Sequence, residues 1–161
     1  WRDDYNPLDR IQTPSLEGVA WIGLTPIGYE MAVRAVTPIL PTIGLSHSPH
    51  SGTVTWRVFL DHPEIIVPGL VVMFVVMAPM EEILYRGVVH DALEPAIGSP
   101  GRVLVGGLLF GAMHLFLQGG VVSLLLTSIF GVLLAAGYER TNNLVVPIMT
   151  HAGYWLIFTP F

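Results

Sequence analysis

Residues 79–86 of the chain, PMEEILYR, place two carboxylates and a guanidinium next to a long apolar run. The preceding residues 65–78, IIVPGLVVMFVVMA, contain no charged side chain. A surface helix of a soluble protein spreads its charges along one face, but here Glu81, Glu82 and Arg86 lie within six positions. The stretch therefore predicts ionisable groups at membrane depth, where they are rare, face the protein interior and indicate a functional site.

The composition favours a membrane protein with one domain. Of 161 residues, 52% are hydrophobic and only 12% are charged, whereas a globular domain has about 25% charged residues. The length favours a single membrane domain over residues 1–161. Because the chain starts at Trp1 rather than Met, we expect it to be trimmed at its N terminus, with further helices upstream.

The cysteine content and the charge balance limit the possible binding partners and the expected location of the protein. The chain contains no cysteine, which excludes disulfides and thiolate sites. All seven basic residues are Arg, against twelve acidic residues, for a net charge of −5. This balance argues against a nucleic-acid partner. An acid excess without Lys suits a halophilic organism, so we expect a multi-pass protein of a prokaryotic cell membrane, with the lipid bilayer as its surroundings.

Apolar segments of membrane-spanning length predict the fold. A bilayer core about 30 Å thick requires roughly 20 residues of helix. The sequence therefore predicts an all-α, polytopic transmembrane bundle of about five helices. Prolines and polar runs bound the segments, with a helix start at 13–14 and a turn at 139–143. The predicted spans are 16–40, 65–93, 102–117, 121–138 and 144–161.

The arginines predict the orientation of these spans. Counting spans places the N-terminal lead-in and the loops after the second and fourth spans on one side of the membrane. An excess of Arg marks the cytoplasmic side. The five-to-two bias predicts that the lead-in side is cytoplasmic: it has Arg2, Arg10, Arg86, Arg102 and Arg140, against Arg34 and Arg57 on the other side.

Ionisable residues of three predicted helices lie at matching depth. At 1.5 Å per residue, Glu81 and His151 are each about 10 Å from the cytoplasmic boundary, and His114 lies in the same half of the membrane. Glu82 and Arg86 are four residues apart, which predicts a buried ion pair. Glu81 points about 100° away from Glu82 and is free to face another neighbour.

This arrangement predicts a carboxylate and two imidazoles that converge in a polar cavity. Such a group can activate water as a general base or through a metal ion. A purely structural alternative stays open, because a membrane histidine also serves as a hydrogen-bonding link between helices. The pair Gly107 and Gly111 has the small-xxx-small spacing of closely packed membrane helices, and we interpret it as packing alone.

Three motifs in order resemble those of the CPBP intramembrane proteases, the CAAX-protease and bacteriocin-processing (Abi-like) family. Residues 81–86, EEILYR, match the EExxxR motif, and residues 110–114, FGAMH, match FxxxH. Residues 146–152, VPIMTHA, resemble the entry into HxxxN. The resemblance covers residues 65–158.

The resemblance implies a role for each matched residue. Glu81 and His114 would activate the hydrolytic water, and Glu82 would orient the site by pairing with Arg86. His151 would help to stabilise the oxyanion. Members of the family have been described both as metalloproteases and as glutamate-dependent proteases. If a metal is bound, Glu81, His114 and His151 form a ligand set suited to Zn²⁺ with an open position.

The third motif departs from the family at one position. One helical turn after its histidine the family has Asn, where this chain has Trp155. An indole has one N–H donor and no acceptor. Loss of an oxyanion donor typically lowers the rate by about 10²- to 10³-fold, so the substitution bears directly on activity.

Two functions of different classes follow. The first is an intramembrane endopeptidase that hydrolyses a peptide or a prenylated protein near the cytoplasmic membrane face. The alternative is a non-catalytic binding or immunity protein of the same fold, which Trp155 favours. A carrier with Glu81 as its proton site is a third hypothesis. The sequence contains neither a GxSG loop nor an HExxH helix, which argues against rhomboid-type and site-2-type proteases.

Overall fold

The described part of the chain is mainly helical, with 84% of it in helices. The structure is a computed structural model that describes residues 6–45, 56–115 and 120–158. Within these ranges there is no β-strand, and five helices form a bundle, which confirms the predicted all-α fold. A short helix, α2, precedes the second of them. The helices are α1 (Leu16–Val36), α2 (Trp56–Asp61), α3 (Pro63–His90), α4 (Ser99–His114), α5 (Gly120–Thr141) and α6 (Val145–Phe158).

Two of the five bundle helices are long and apolar enough to cross a membrane. These are α3 with 28 residues and α5 with 22, whereas Val145–Ile157 forms a shorter apolar helix. The most apolar part of α3 is only 6% buried by the protein, whereas half of the corresponding part of α5 is buried. Helix α3 therefore presents an apolar surface to its surroundings, and α5 lies at the centre of the bundle.

Several predicted helix ends move by a few residues. Helix α1 begins at Leu16 rather than directly after residue 13, because the Ser15 hydroxyl accepts a hydrogen bond from the Gly18 amide at 3.2 Å and caps the helix. Helix α5 continues to Thr141, so Glu139 lies in a helix and not in the predicted turn. Residues 116–117 and 159–161, at the ends of two predicted spans, lie outside the described residues.

Helix α3 is not a regular α-helix throughout. Its turns are π-helical over Val72–Met77 and again over Ile83–His90. Pro79 follows the first of these segments, and a proline removes one helical hydrogen bond and crowds the preceding turn. A widened turn relieves that crowding. The second π-helical segment contains Arg86 of the EExxxR motif.

Glycines bring α4 and α5 into close contact. A Cβ atom on Gly107 would lie 2.6 Å from the backbone nitrogen of Val132, and one on Gly111 would lie 2.6 Å from the Leu124 carbonyl oxygen. A Cβ atom on Gly131 would meet the Gly107 carbonyl at 2.7 Å. The close approach predicted from Gly107 and Gly111 is confirmed, and it fixes the position of the Gly131 backbone within the bundle.

The lead-in segment is docked at one end of the bundle. The Leu144 amide donates to the Arg10 carbonyl at 2.8 Å. The Asn143 side chain donates to the Gln12 carbonyl at 2.9 Å, accepts from the Gln12 amide at 3.3 Å and accepts from the Val145 amide at 3.0 Å. The lead-in and the turn before α6 therefore lie at the same end, called the lead-in end below, which is the predicted cytoplasmic end.

Candidate active site

The centre of the site is a fully buried carboxylate that two basic side chains share. Glu82 Oε2 lies 2.7 Å from Arg86 Nη1, so the ion pair that the four-residue spacing predicts is formed. The other oxygen, Oε1, accepts a hydrogen bond from His151 Nδ1 at 2.9 Å. Glu82, Arg86 and His151 are called the inner triad below. The bond to His151 was not predicted, because spacing identifies partners on one helix and not those on another.

The Arg86 guanidinium has further partners on two other helices. Its Nη2 donates to the Gly131 carbonyl of α5 at 2.8 Å. Its central carbon lies 4.8 Å from the centre of the Phe110 ring of α4, a cation–π contact. Arg86 is therefore held by a carboxylate, a carbonyl and an aromatic face, and these contacts tie α3, α4 and α5 together inside the bundle.

Glu81, directly before the inner triad in sequence, has a different environment. Its side chain is half-buried, and its Oε2 is buried without a hydrogen-bond partner among the described residues. Native proteins pair nearly all buried polar atoms, so an unpaired carboxylate oxygen calls for an explanation. The two adjacent carboxylates thus differ in their contacts: Glu82 forms an ion pair with Arg86 and a hydrogen bond with His151, whereas Glu81 Oε2 has neither kind of contact among the described residues.

Hydrogen bonds fix the orientation of His114. Its Nδ1 lies 2.9 Å from the Phe110 carbonyl oxygen. A carbonyl oxygen only accepts hydrogen bonds, so Nδ1 carries the hydrogen and Nε2 of the neutral ring is an acceptor. The bond joins residues one turn apart on α4, and it presents Nε2 as a base.

The Phe110 ring connects the two histidines. Its centre lies 4.9 Å from that of His114 and 5.7 Å from that of His151. Phe130 of α5 supports His151 from another side, with 5.5 Å between ring centres. The structure thus brings the two predicted imidazoles to one aromatic ring, and it joins His151 to Glu82 rather than to Glu81.

The zinc site implied by the resemblance stays a prediction. No group of three or more His, Cys, Asp or Glu side chains within residues 6–45, 56–115 and 120–158 is placed to hold a metal ion. The predicted ligands Glu81, His114 and His151 form no such group. The Nδ1 atoms of both histidines are occupied by protein acceptors, which leaves only their Nε2 atoms as donors to a metal ion.

A second group of the same three residue types lies near the lead-in end. Glu139 Oε1 accepts from Arg102 Nη2 at 2.6 Å, and its Oε2 lies 2.6 Å from His90 Nε2. Glu139, Arg102 and His90 are called the outer triad below. No local pattern in the sequence points to it, because its members come from three helices: the predicted spans place His90 and Arg102 near span ends and Glu139 in a turn. His90 is buried all the same.

The comparisons with known proteins agree with the motifs. The family model described as Type II CAAX prenyl endopeptidase Rce1-like matches residues 63–157, which include all three motifs and most of the bundle. No curated protein and no solved structure matches the chain. With two helices of spanning length and this match, the protein is an integral membrane protein. The chain belongs to the Type II CAAX prenyl endopeptidase Rce1-like family, a family of intramembrane proteases.

Proposed function

We propose that the protein is an intramembrane endopeptidase in which Glu81 and His114 activate a water molecule. The observation that carries this proposal is the buried Oε2 of Glu81, which has no hydrogen-bond partner among the described residues, beside Glu82, which is paired with Arg86 and His151. A general base needs a free acceptor near the reacting atoms. The substrate class follows from the family: a peptide or protein that ends in a prenylated cysteine and its short C-terminal tail.

The first step is the attack of water on the scissile carbonyl. Glu81 accepts one proton from the water as its oxygen bonds to the carbonyl carbon, and Nε2 of His114 accepts a hydrogen bond that orients the same water. The carbonyl π electrons move to oxygen, which gives a tetrahedral oxyanion. The C–N bond then breaks, and Glu81 returns its proton to the leaving amine. The products are a carboxylic acid and an amine, and transfer of the acid's proton to the amine gives a carboxylate and an ammonium ion.

His151 stabilises the oxyanion in this mechanism. Its Nδ1–H is directed to Glu82, so only the cationic ring also carries a hydrogen on Nε2. Glu82 therefore has a second role beyond its pairing with Arg86: it orients His151, as the acid does in a catalytic triad.

The proposal also includes the membrane in which the protein lies and its orientation there. We assign it to the cell membrane of a prokaryote, with the lead-in end and the nearby site toward the cytoplasm. The Arg bias supports this orientation, and the docking of the lead-in beside Leu144 supports the assignment of both to one side. Cleavage would then occur near the cytoplasmic membrane face.

A cleavage assay in proteoliposomes tests the proposal. The substrate is a quenched fluorescent peptide that ends in a farnesylated cysteine and three further residues. Glu81→Gln should lower turnover by about 10²- to 10⁴-fold, the usual contribution of a general base. Glu30→Gln is the matched control, because Glu30 forms an exposed ion pair with Arg34 on α1 at 2.7 Å, outside the site. Glu81→Gln that cleaves as fast as wild type contradicts the proposal.

The alternative is a non-catalytic binding or immunity protein of the same fold. The half-buried Trp155, in place of the family's Asn, favours it, because a tryptophan is a common anchor for a bound partner. Trp155→Asn separates the two functions. In a protease it should raise turnover by up to about 10²- to 10³-fold by supplying an oxyanion donor. In a binding protein it should weaken binding and produce no hydrolysis.

A further inference from the structure

Tyr85 lies on the same aromatic ring as the two histidines of the site. Its ring meets Phe110 edge-on, with 5.2 Å between centres and 81° between planes. It follows Glu81 by four residues on α3, the spacing at which side chains of one helix are neighbours. The side chain is half-buried rather than sealed in the core. Glu81, Tyr85 and both histidines therefore border one region around Phe110.

The region around Phe110 has more hydrogen-bond acceptors than free donors. Glu81 and neutral His114 present acceptors, as a water-activating pair must. The Arg86 donors are directed to Glu82 and Gly131. His151 supplies one donor through Nε2 when its ring is cationic. A tetrahedral oxyanion is usually held by two or more preorganised donors, so these groups leave one donor to be found.

The Tyr85 hydroxyl has the chemistry and the position for this donor. No hydrogen bond joins it to another side chain or backbone group in the part of the chain that the structure describes. A phenol O–H donates readily and stays protonated at neutral pH. The packing of its ring on Phe110 limits the directions in which the hydroxyl points, which supplies the preorganisation that an oxyanion donor needs.

We propose that Tyr85 is a further catalytic residue, whose hydroxyl donates a hydrogen bond to the oxyanion opposite His151. This inference rests on the proposed function. The phenol keeps its hydrogen throughout: the bond strengthens as negative charge develops on the carbonyl oxygen and weakens when the intermediate collapses. Tyr85 therefore acts on the transition state more than on substrate binding.

Tyr85→Phe tests the inference, because it removes the hydroxyl and keeps the ring on Phe110. In the proteoliposome assay we expect kcat to fall by about 10²- to 10³-fold, with KM unchanged. A purely structural Tyr85 would change neither constant. Tyr138→Phe is the matched control: it removes a hydroxyl that donates to Asp91 at 3.0 Å, outside the site, and should leave kcat unchanged. Melting temperatures confirm that each variant is folded.

The outcomes separate this inference from the proposed function. If Glu81→Gln is inactive and Tyr85→Phe keeps the wild-type kcat, the proposed role of Tyr85 is wrong, whereas the proposed endopeptidase function is retained. If Tyr85→Phe raises KM and leaves kcat unchanged, Tyr85 binds substrate and the oxyanion role is also overturned. If Glu81→Gln keeps wild-type activity, or the wild type cleaves nothing, the proposed function fails and the inference fails with it.

Discussion

The inner and outer triads have the same chemistry and different surroundings. In each, one glutamate binds an arginine through one carboxylate oxygen and a histidine through the other. The inner carboxylate, Glu82, is fully buried, whereas the outer one, Glu139, is 18% exposed. The inner triad also adjoins Glu81, with its unpaired oxygen, and the Phe110 ring. The two triads therefore differ in their neighbours and their exposure, and not in their residue types.

The surroundings also decide what each triad contributes to stability. Removing one partner from a buried ion pair is strongly destabilising, because the other charge is left uncompensated away from water. Where water reaches the pair, solvent replaces much of the lost interaction. The inner triad should therefore be the more sensitive of the two.

The largest effect is expected from Glu82→Ala. It leaves Arg86 and His151 without their shared anion, and we expect the free energy of unfolding to fall by about 3 to 5 kcal/mol. Glu81→Ala should change stability little, because the carboxylate that it removes has an unpaired oxygen. Thermal unfolding in detergent measures both. Equal melting temperatures for the two variants would contradict the inference that Glu82 stabilises the fold and Glu81 does not.

A smaller effect is expected from Gly107→Ala, which acts on the support of the inner triad. The new Cβ atom would lie 2.6 Å from the Val132 nitrogen and 2.8 Å from its Cα, so α4 and α5 must separate. Overpacking of this kind costs about 1 to 3 kcal/mol. The shift also moves Gly131, whose carbonyl binds Arg86. We expect lower stability and lower cleavage together.

The neighbouring glycine is the control for this experiment. A Cβ atom on Gly106 would meet only His90 Nδ1, at the ordinary contact distance of 3.5 Å. Gly106→Ala should therefore fold and cleave like the wild type, although it touches the outer triad. If both variants melt at the same temperature, the close approach of α4 and α5 does not depend on Gly107.

The smallest effect is expected from Glu139→Gln in the outer triad. It removes the anion between His90 and Arg102, but water reaches Glu139, so we expect a loss of about 1 kcal/mol. Cleavage should stay at the wild-type rate. Hydrogen exchange at the helix ends, together with the peptide assay, checks this. A stable Glu139→Gln protein that has lost cleavage would make the outer triad part of the catalytic machinery.

The same comparison explains how far the sequence could predict the site. Glu82 and Arg86 lie four residues apart on one helix, so helical geometry alone predicts their contact. His151 is 69 positions from Glu82, and the motifs placed it near the site without identifying its partner. The outer triad has separations of 49 and 37 positions and no motif. Only the packing of α3, α4 and α5 brings its members together.

The fold was predictable to a similar degree. Apolar segments predicted the helices and their order, and the glycine spacing predicted the contact between α4 and α5. Helix ends were less predictable, because they depend on single hydrogen bonds such as that of the Ser15 cap. The π-helical turns of α3 were also missed, since hydrophobic periodicity does not distinguish them from α-helical turns.

The docked lead-in imposes an order on biosynthesis. Gln12 leaves the ribosome 131 residues before its partner Asn143, and Arg10 does so well before Leu144. The lead-in can reach its final position only after the turn before α6 has been translated, when α6 begins to enter the bundle. A nascent chain stopped before that turn therefore carries an undocked lead-in. A cross-link between Gln12 and Asn143 would report that the lead-in has docked.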